Sequence, residues 1–111
     1  MTSNDLLLQK KFSELETQNF ESQGLWRAKD PIVHGIASDT KNVKPGYIFF
    51  AINGCSRHGA EFARRATEKG AILIVTDFQG GKIIQKEKIA SAVVIVSNPR
   101  KKLAEYAARW N

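Results

Sequence analysis

The chain has 111 residues, of which 42% are apolar and 25% charged, with 8 Gly and 3 Pro; this is the make-up of one folded domain around one core, and it excludes a disordered or fibrous chain and a second domain within this length. Its 17 Lys+Arg against 11 Asp+Glu leave a net charge of +6, which favours anionic partners (nucleic acid, phosphorylated metabolites, a membrane surface), although the same charge also serves plain solubility. No window approaches the eighteen apolar residues of a transmembrane helix, and Met1-Thr2-Ser3-Asn4-Asp5 lacks the basic and apolar regions of a signal peptide, so a cytoplasmic chain is expected.

Leu7, Leu8, Phe12 and Leu15 recur at helical spacing, which predicts an amphipathic helix near 5–20, capped by Ser3 or Asn4 and stopped by Gly24. A connector through Leu25 and Trp26 leads to Pro31. Residues 32–37 read as a strand, and Lys44-Pro45-Gly46 as a turn in which proline presets φ and glycine tolerates a positive one. Residues 47–52, Tyr-Ile-Phe-Phe-Ala-Ile, are almost wholly apolar, as a strand buried on both faces requires. A helix is predicted over 60–69, with Phe62, Ala63 and Ala66 on one stripe and Gly70 as its stop, and a strand over 71–76. Residues 78–81 read as a loop, and 82–88 as a short helical or extended segment. A strand over 92–96 then leads to a helix over 100–110, opened by Pro99 and carrying Leu103, Tyr106, Ala107 and Trp110 on one face.

Helices alternating with such apolar strands predict an α/β fold: a single three-layer domain with a mostly parallel or mixed sheet of four to five strands flanked by helices. Residues 1–24 form its leading helix and connector, and residues 25–111 the α/β body. The chain ends inside a helical pattern without a cap, as a piece of a longer protein would.

The chemistry is sparse. Cys55 is the single cysteine, and His34 and His58 lie far apart, so neither a disulfide nor a structural zinc site is expected. Cys55 and His58 share a loop, but no nucleophile-elbow or thiol-protease signature surrounds them, and Asp39, Glu61, Glu68 and Asp77 fall in separate elements. Gly54-Cys55-Ser56-Arg57-His58-Gly59 has the G-x-x-x-x-G spacing of a phosphate loop between strand and helix. Ala60-Glu61 replaces the Lys-Ser/Thr that would reach the phosphates and magnesium, so it is not an ATP site. Two readings stay open for it: a helix N-terminus that offers free amides, with Arg57 and His58, to a phosphate, or glycines that serve only to turn the chain. Ser38-Asp39-Thr40-Lys41, at the end of the first strand, likewise either contacts a ligand or caps its own turn. The charge is also uneven. Residues 1–30 hold four basic against five acidic side chains, so residues 31–111 carry +7.

Six features in order (Ser38-Asp39-Thr40-Lys41, Val43-Lys44-Pro45-Gly46, Phe49-Phe50-Ala51, the loop from Gly54 through Gly59 to Phe62, Gly70-Ala71, and Ser97-Asn98-Pro99-Arg100) resemble the N-terminal domain of the Mur ligases, most nearly the MurE type, over about residues 32–110. The resemblance implies a domain that holds the UDP end of UDP-N-acetylmuramoyl-L-alanyl-D-glutamate through Ser38, Thr40, Cys55, Ser56 and Arg57. It implies an ATP-dependent, amide-bond-forming parent enzyme of peptidoglycan synthesis that adds the third amino acid, diaminopimelate or else lysine, with ATP and Mg2+ bound by domains outside this chain. No catalytic or metal-binding residue is expected here, and the fragment alone is expected to be inactive. The nucleotide-linked dipeptide is the implied partner, without nucleic acid, membrane or obligate protein partner. His58 stands where the family usually has Asp, which alters the loop's hydrogen bonding and charge. A MurF-type domain is the nearest alternative. A small basic nucleic-acid-binding module is another, disfavoured because Phe49, Phe50 and Phe62 fall on core-like positions.

Overall fold

A computed structural model describes residues 10–15 and 32–110. Strand β1 (Lys10–Lys11) pairs antiparallel with β2 (Ile32–Val33), setting Lys10 opposite Val33 and Lys11 opposite Ile32. The one-turn helix α1 (Phe12–Leu15) then carries Phe12 and Leu15 fully out of solvent. The helix expected near 5–20 is therefore corrected at residues 10 and 11. Apolar spacing along a short segment reports which side chains are buried, but β2 supplies backbone partners from more than twenty residues away, and pairing with them overrides the local helical pattern. The rest of that expected helix, its Gly24 cap and the connector through Leu25 and Trp26 lie outside the described residues.

The strand expected over 32–37 is two strands that break at His34, whose amide donates to Gly46 O at 3.0 Å. Strand β3 (Gly35–Ala37) begins the main sheet, and β4 (Tyr47–Ala51), β5 (Leu73–Thr76) and β6 (Ala92–Ile95) continue it in the order β3-β4-β5-β6. All three pairings are parallel, with Ala37 opposite Phe49, Phe49 opposite Ile74 and Ile74 opposite Val93. Between strands lie a 3-10 turn (Thr40–Asn42), a second 3-10 turn (Gly59–Phe62) running into helix α2 (Ala63–Glu68), and helix α3 (Phe78–Gln85). Helix α4 (Pro99–Trp110) follows β6.

Alternation along the strands sorts the side chains into two cores, as period-two geometry requires. Ile48, Phe50, Leu73, Val75 and Val94 pack with Phe12, Leu15 and Tyr106 beneath α4. Phe49, Ala51 and Ile74 pack on the opposite face with Val43, Ala63, Ala66 and Ile84. Every strand-to-strand crossover therefore lies on one face and α4 covers the other, as a uniform hand of connection in a parallel sheet demands. Gly46 has φ of 87°, so the turn into β4 needs its glycine, and Gly70 at 105° ends α2 in the same left-handed conformation.

One expectation for the second half is overturned. Residues 78–81, read as a loop from Gly80-Gly81, form the first half of α3. The Asp77 carboxylate accepts the Gly80 amide at 2.7 Å and caps the helix, and Gly80 is buried against β5, where a larger residue does not fit.

Candidate functional site

The carboxyl ends of β3 and β4 open side by side because the two strands are parallel neighbours, and each is followed by a polar segment. After β3, Asp39 Oδ1 accepts the Lys41 amide at 2.9 Å and caps the 3-10 turn. The own-turn reading holds for that carboxylate. The hydroxyls of Ser38 and Thr40 bond to none of the described residues, and both line a groove of about 400 Å³. Its floor is apolar, from Phe49, Ile52 and Phe62, and Arg57, Arg65 and Lys41 stand at its rim. Lys69 at the end of α2 ties the turn down by donating to Thr40 O at 2.5 Å.

After β4 the chain makes a tight hairpin. Asn53 and His58 form an antiparallel bridge, Gly54 N donates to Arg57 O at 2.9 Å, and Gly59 N donates to Ile52 O at 2.9 Å. Cys55 and Ser56 are thereby held exposed at the tip and line a neighbouring polar depression of about 390 Å³, which shares Arg57 with the groove. The structure thus brings Ser38, Thr40 and Arg57 together, with Cys55 and Ser56 next door. A Cβ on Gly59 would stand 2.7 Å from the Ile52 amide nitrogen, so that glycine serves close packing of the loop on β4.

His58 organises the loop. It is 4% exposed. An amide can only donate, so its Nδ1, 2.9 Å from the Ala60 amide, is the acceptor and Nε2 carries the proton, which it donates to Asp77 Oδ1 at 2.8 Å. The His58 amide in turn donates to Glu61 Oε2 at 3.2 Å, completing a reciprocal cap. Burial disfavours the Asp77 charge, but the Gly80 amide and the His58 imidazole outweigh it and hold the carboxyl below its ordinary value of 3.8. One imidazole therefore joins the first turn of the loop helix to the N-cap of α3. The same geometry decides against the first of the two readings left open for this loop, that of free amides for a phosphate. Gly59 N is taken by Ile52 O, Ala60 N by His58 Nδ1 and Glu61 N by His58 O, so this helix start has none of those three left to offer.

Glu61 is engaged with His58 and lies 3.7 Å from Arg57 Nε, and among the described residues no group of three His, Cys, Asp or Glu gathers to hold a metal ion. Phe49 and Phe50 are 1% and 0% exposed, so neither ring is available to stack on a base. Among the described residues no helix is long and apolar enough to cross a membrane. Sequence reasoning missed Arg65 and Phe62 as groove residues and Asp77 as a partner of the loop. An Asp at a strand end followed three residues later by an amide in need of a cap was the available signal for Asp77; the three-residue spacing of Phe62 and Arg65 on one helical face was the signal for the pair.

A parallel sheet whose strands end at a cation-rimmed groove is an open α/β domain, and the groove lies where sheets of this kind take ligands. Residues 32–111 match the family model described as Mur ligase family, catalytic domain, and the chain belongs to the Mur ligase family. Curated relatives include the UDP-N-acetylmuramoyl-L-alanyl-D-glutamate--2,6-diaminopimelate ligases of Mesorhizobium japonicum, 40% identical over 78 residues, and of Streptomyces avermitilis, 34% identical over 80. These alignments cover 70% and 72% of this chain but 15% of each relative, so the chain spans a small part of their length. Among solved structures, MurF from Acinetobacter baumannii superposes over 79% of this chain and 19% of its own at a TM-score of 0.56 and 17% identity. MurF ligase from Thermotoga maritima in complex with ADP does so over 65% and 15% at 0.50 and 23% identity. At these identities the MurF likeness bears on the fold alone.

Proposed function

We propose that the chain is the UDP-binding N-terminal domain of a MurE-type ligase, the cytoplasmic ATP-dependent enzyme that joins diaminopimelate to UDP-N-acetylmuramoyl-L-alanyl-D-glutamate in peptidoglycan precursor synthesis. The observation that carries the reading is the groove at the ends of β3 and β4, lined by Ser38 and Thr40, whose hydroxyls bond to none of the described residues, by Arg57 and by the apolar Phe49, Ile52 and Phe62. An apolar floor with a hydroxyl wall suits a flat heterocycle with a hydrogen-bonding edge, and a cationic rim suits a diphosphate. The names of the 34–40% identical relatives support both the nucleotide-linked substrate and the amino acid. Residues 1–111 act in this reading as one substrate-recruiting unit, with Cys55 and Ser56 extending the site beyond the groove. ATP, Mg2+ and the bond-forming chemistry belong to other domains of the whole ligase.

Titration of isotope-labelled protein with UDP tests it. Amide shifts are expected at residues 38–41 and 55–62, and Thr40→Ala and Arg57→Ala should both weaken binding. Because the Arg57 side chain is 65% exposed, its loss should cost about 1.5 kcal/mol or less, the low end for a charge-assisted hydrogen bond. Shifts confined to residues 82–90, or parental binding by both variants, would remove the site assignment.

A further inference from the structure

The cations at the groove are not equivalent. Arg57 is committed: its Nε lies 3.7 Å from Glu61 Oε1 and its guanidinium 5.7 Å from the centre of the Phe62 ring. Lys41 shares its 3-10 turn with the Asp39 carboxylate, which lines the same groove and offsets its charge. Arg65 lies one helical turn beyond Phe62 on α2, lines the groove, and forms no ion pair with any described residue. Its neighbour Arg64 points elsewhere, with its Nε 3.7 Å from Glu87 Oε2. The backbone offers little competition, because the amides of Gly59, Ala60 and Glu61 are already bonded within the loop. An anion beside this loop is therefore met by side chains rather than by those three amides, and Arg65 can meet it without giving up a partner.

We propose that Arg65 is a specificity-determining residue that reads the diphosphate beside Arg57, so that the groove discriminates a nucleoside diphosphate from the bare nucleoside chiefly through this guanidinium. The inference rests on the UDP reading above and adds a residue outside the motifs that suggested it. A guanidinium is suited to the task because its planar donors engage two phosphate oxygens at once.

The experiment titrates the parent chain, Arg65→Gln and Arg64→Gln with UDP, uridine and inorganic pyrophosphate at two salt concentrations. Arg65→Gln should weaken UDP and pyrophosphate about tenfold, the effect of one charge-assisted hydrogen bond in a partly solvated site, leave uridine unchanged and flatten the salt dependence. Arg64→Gln removes an equal charge one residue away and should bind all three as the parent does. If UDP binds but Arg65→Gln matches the parent, or if Arg64→Gln loses as much, the role of Arg65 is overturned while the UDP reading stands. If pyrophosphate binds in an Arg65-dependent way but UDP binds no better than pyrophosphate, the anion-reading arm stands and the nucleotide reading falls. Binding of neither overturns both.

Discussion

His58 performs two capping tasks with one ring. As a neutral imidazole it accepts from the Ala60 amide through Nδ1 and donates to Asp77 through Nε2, at 2.9 and 2.8 Å. The family resemblance places an aspartate here, and a carboxylate could do only the first of these, since it has no proton to donate to a second carboxylate. His58→Ala should therefore destabilise the chain by about 1–3 kcal/mol, because a buried amide and a partly buried carboxylate lose their partner together. His58→Asp should recover about 1 kcal/mol of that, the contribution of a restored N-cap. Urea denaturation of the two variants checks the order; equal losses, or a larger loss for His58→Asp, would show that the Ala60 cap is not what the residue supplies. At this scale the sequence was partly legible. Ser38, Thr40 and Arg57, which the family resemblance names, line one groove, whereas the use of His58 depends on Asp77, nineteen residues away.

Helix α3 shows how an element forms against its local preferences. Two consecutive glycines are poor helix formers, each about 1 kcal/mol worse than alanine, yet the helix runs through Gly80 and Gly81. Their reasons differ. A Cβ on Gly80 would lie 1.8 Å from Thr76 Oγ1 and 2.7 Å from His58 Cε1, and Thr76 is itself fully buried and donates to Ala51 O at 3.0 Å. A Cβ on Gly81 would lie 2.5 Å from Ile95 Cδ1, the tip of a side chain that is 38% exposed and free to swing aside. Gly80→Ala should lower stability by about 1–3 kcal/mol, overpacking outweighing the gain in helix propensity, while Gly81→Ala should be neutral or stabilising by up to about 1 kcal/mol. Thermal unfolding of both variants measures this contrast. A stabilising Gly80→Ala would mean that α3 does not sit against β5 as closely as described.

For the molecule as a whole, the sheet is held by cover on both faces. Phe12 and Phe50 meet Tyr106 of α4 edge-on, at ring separations of 6.4 and 5.5 Å, and the opposite face is closed by the small residues Ala63 and Ala66 of α2. The Asp77 carboxylate links that second layer to the loop and gives the chain a defined acid response. Its folded pKa lies below 3.8, so the native state holds its proton less tightly than the unfolded chain does. Its contribution to stability is complete above that ordinary value and is lost as pH falls through the lower, folded one. General repulsion also grows in acid for a chain already at +6. Asp77→Asn isolates the single group: its stability-versus-pH curve should lose less than the parent's below pH about 4. Parallel curves through that range would mean that the carboxylate is not stabilised by folding.

The sequence by itself determined what depends on burial and on backbone conformation. The apolar run in β4 announced a central strand covered on both faces, Pro45-Gly46 and Gly70 announced a turn and a helix stop, and the stripe on α4 announced its packing face. Each is written into neighbouring residues, because a strand's alternation, a positive φ and a helical period are local properties. What only the tertiary structure decided is partnership: the pairing of Lys10–Lys11 with β2, the survival of a Gly-Gly helix, the occupation of the loop's amides by Ile52 and His58, and the placing in the groove of an Arg65 that forms no ion pair with any described residue. A hydrogen bond or a steric limit is set by groups that meet only after folding, so the pattern around any one of these residues does not carry it.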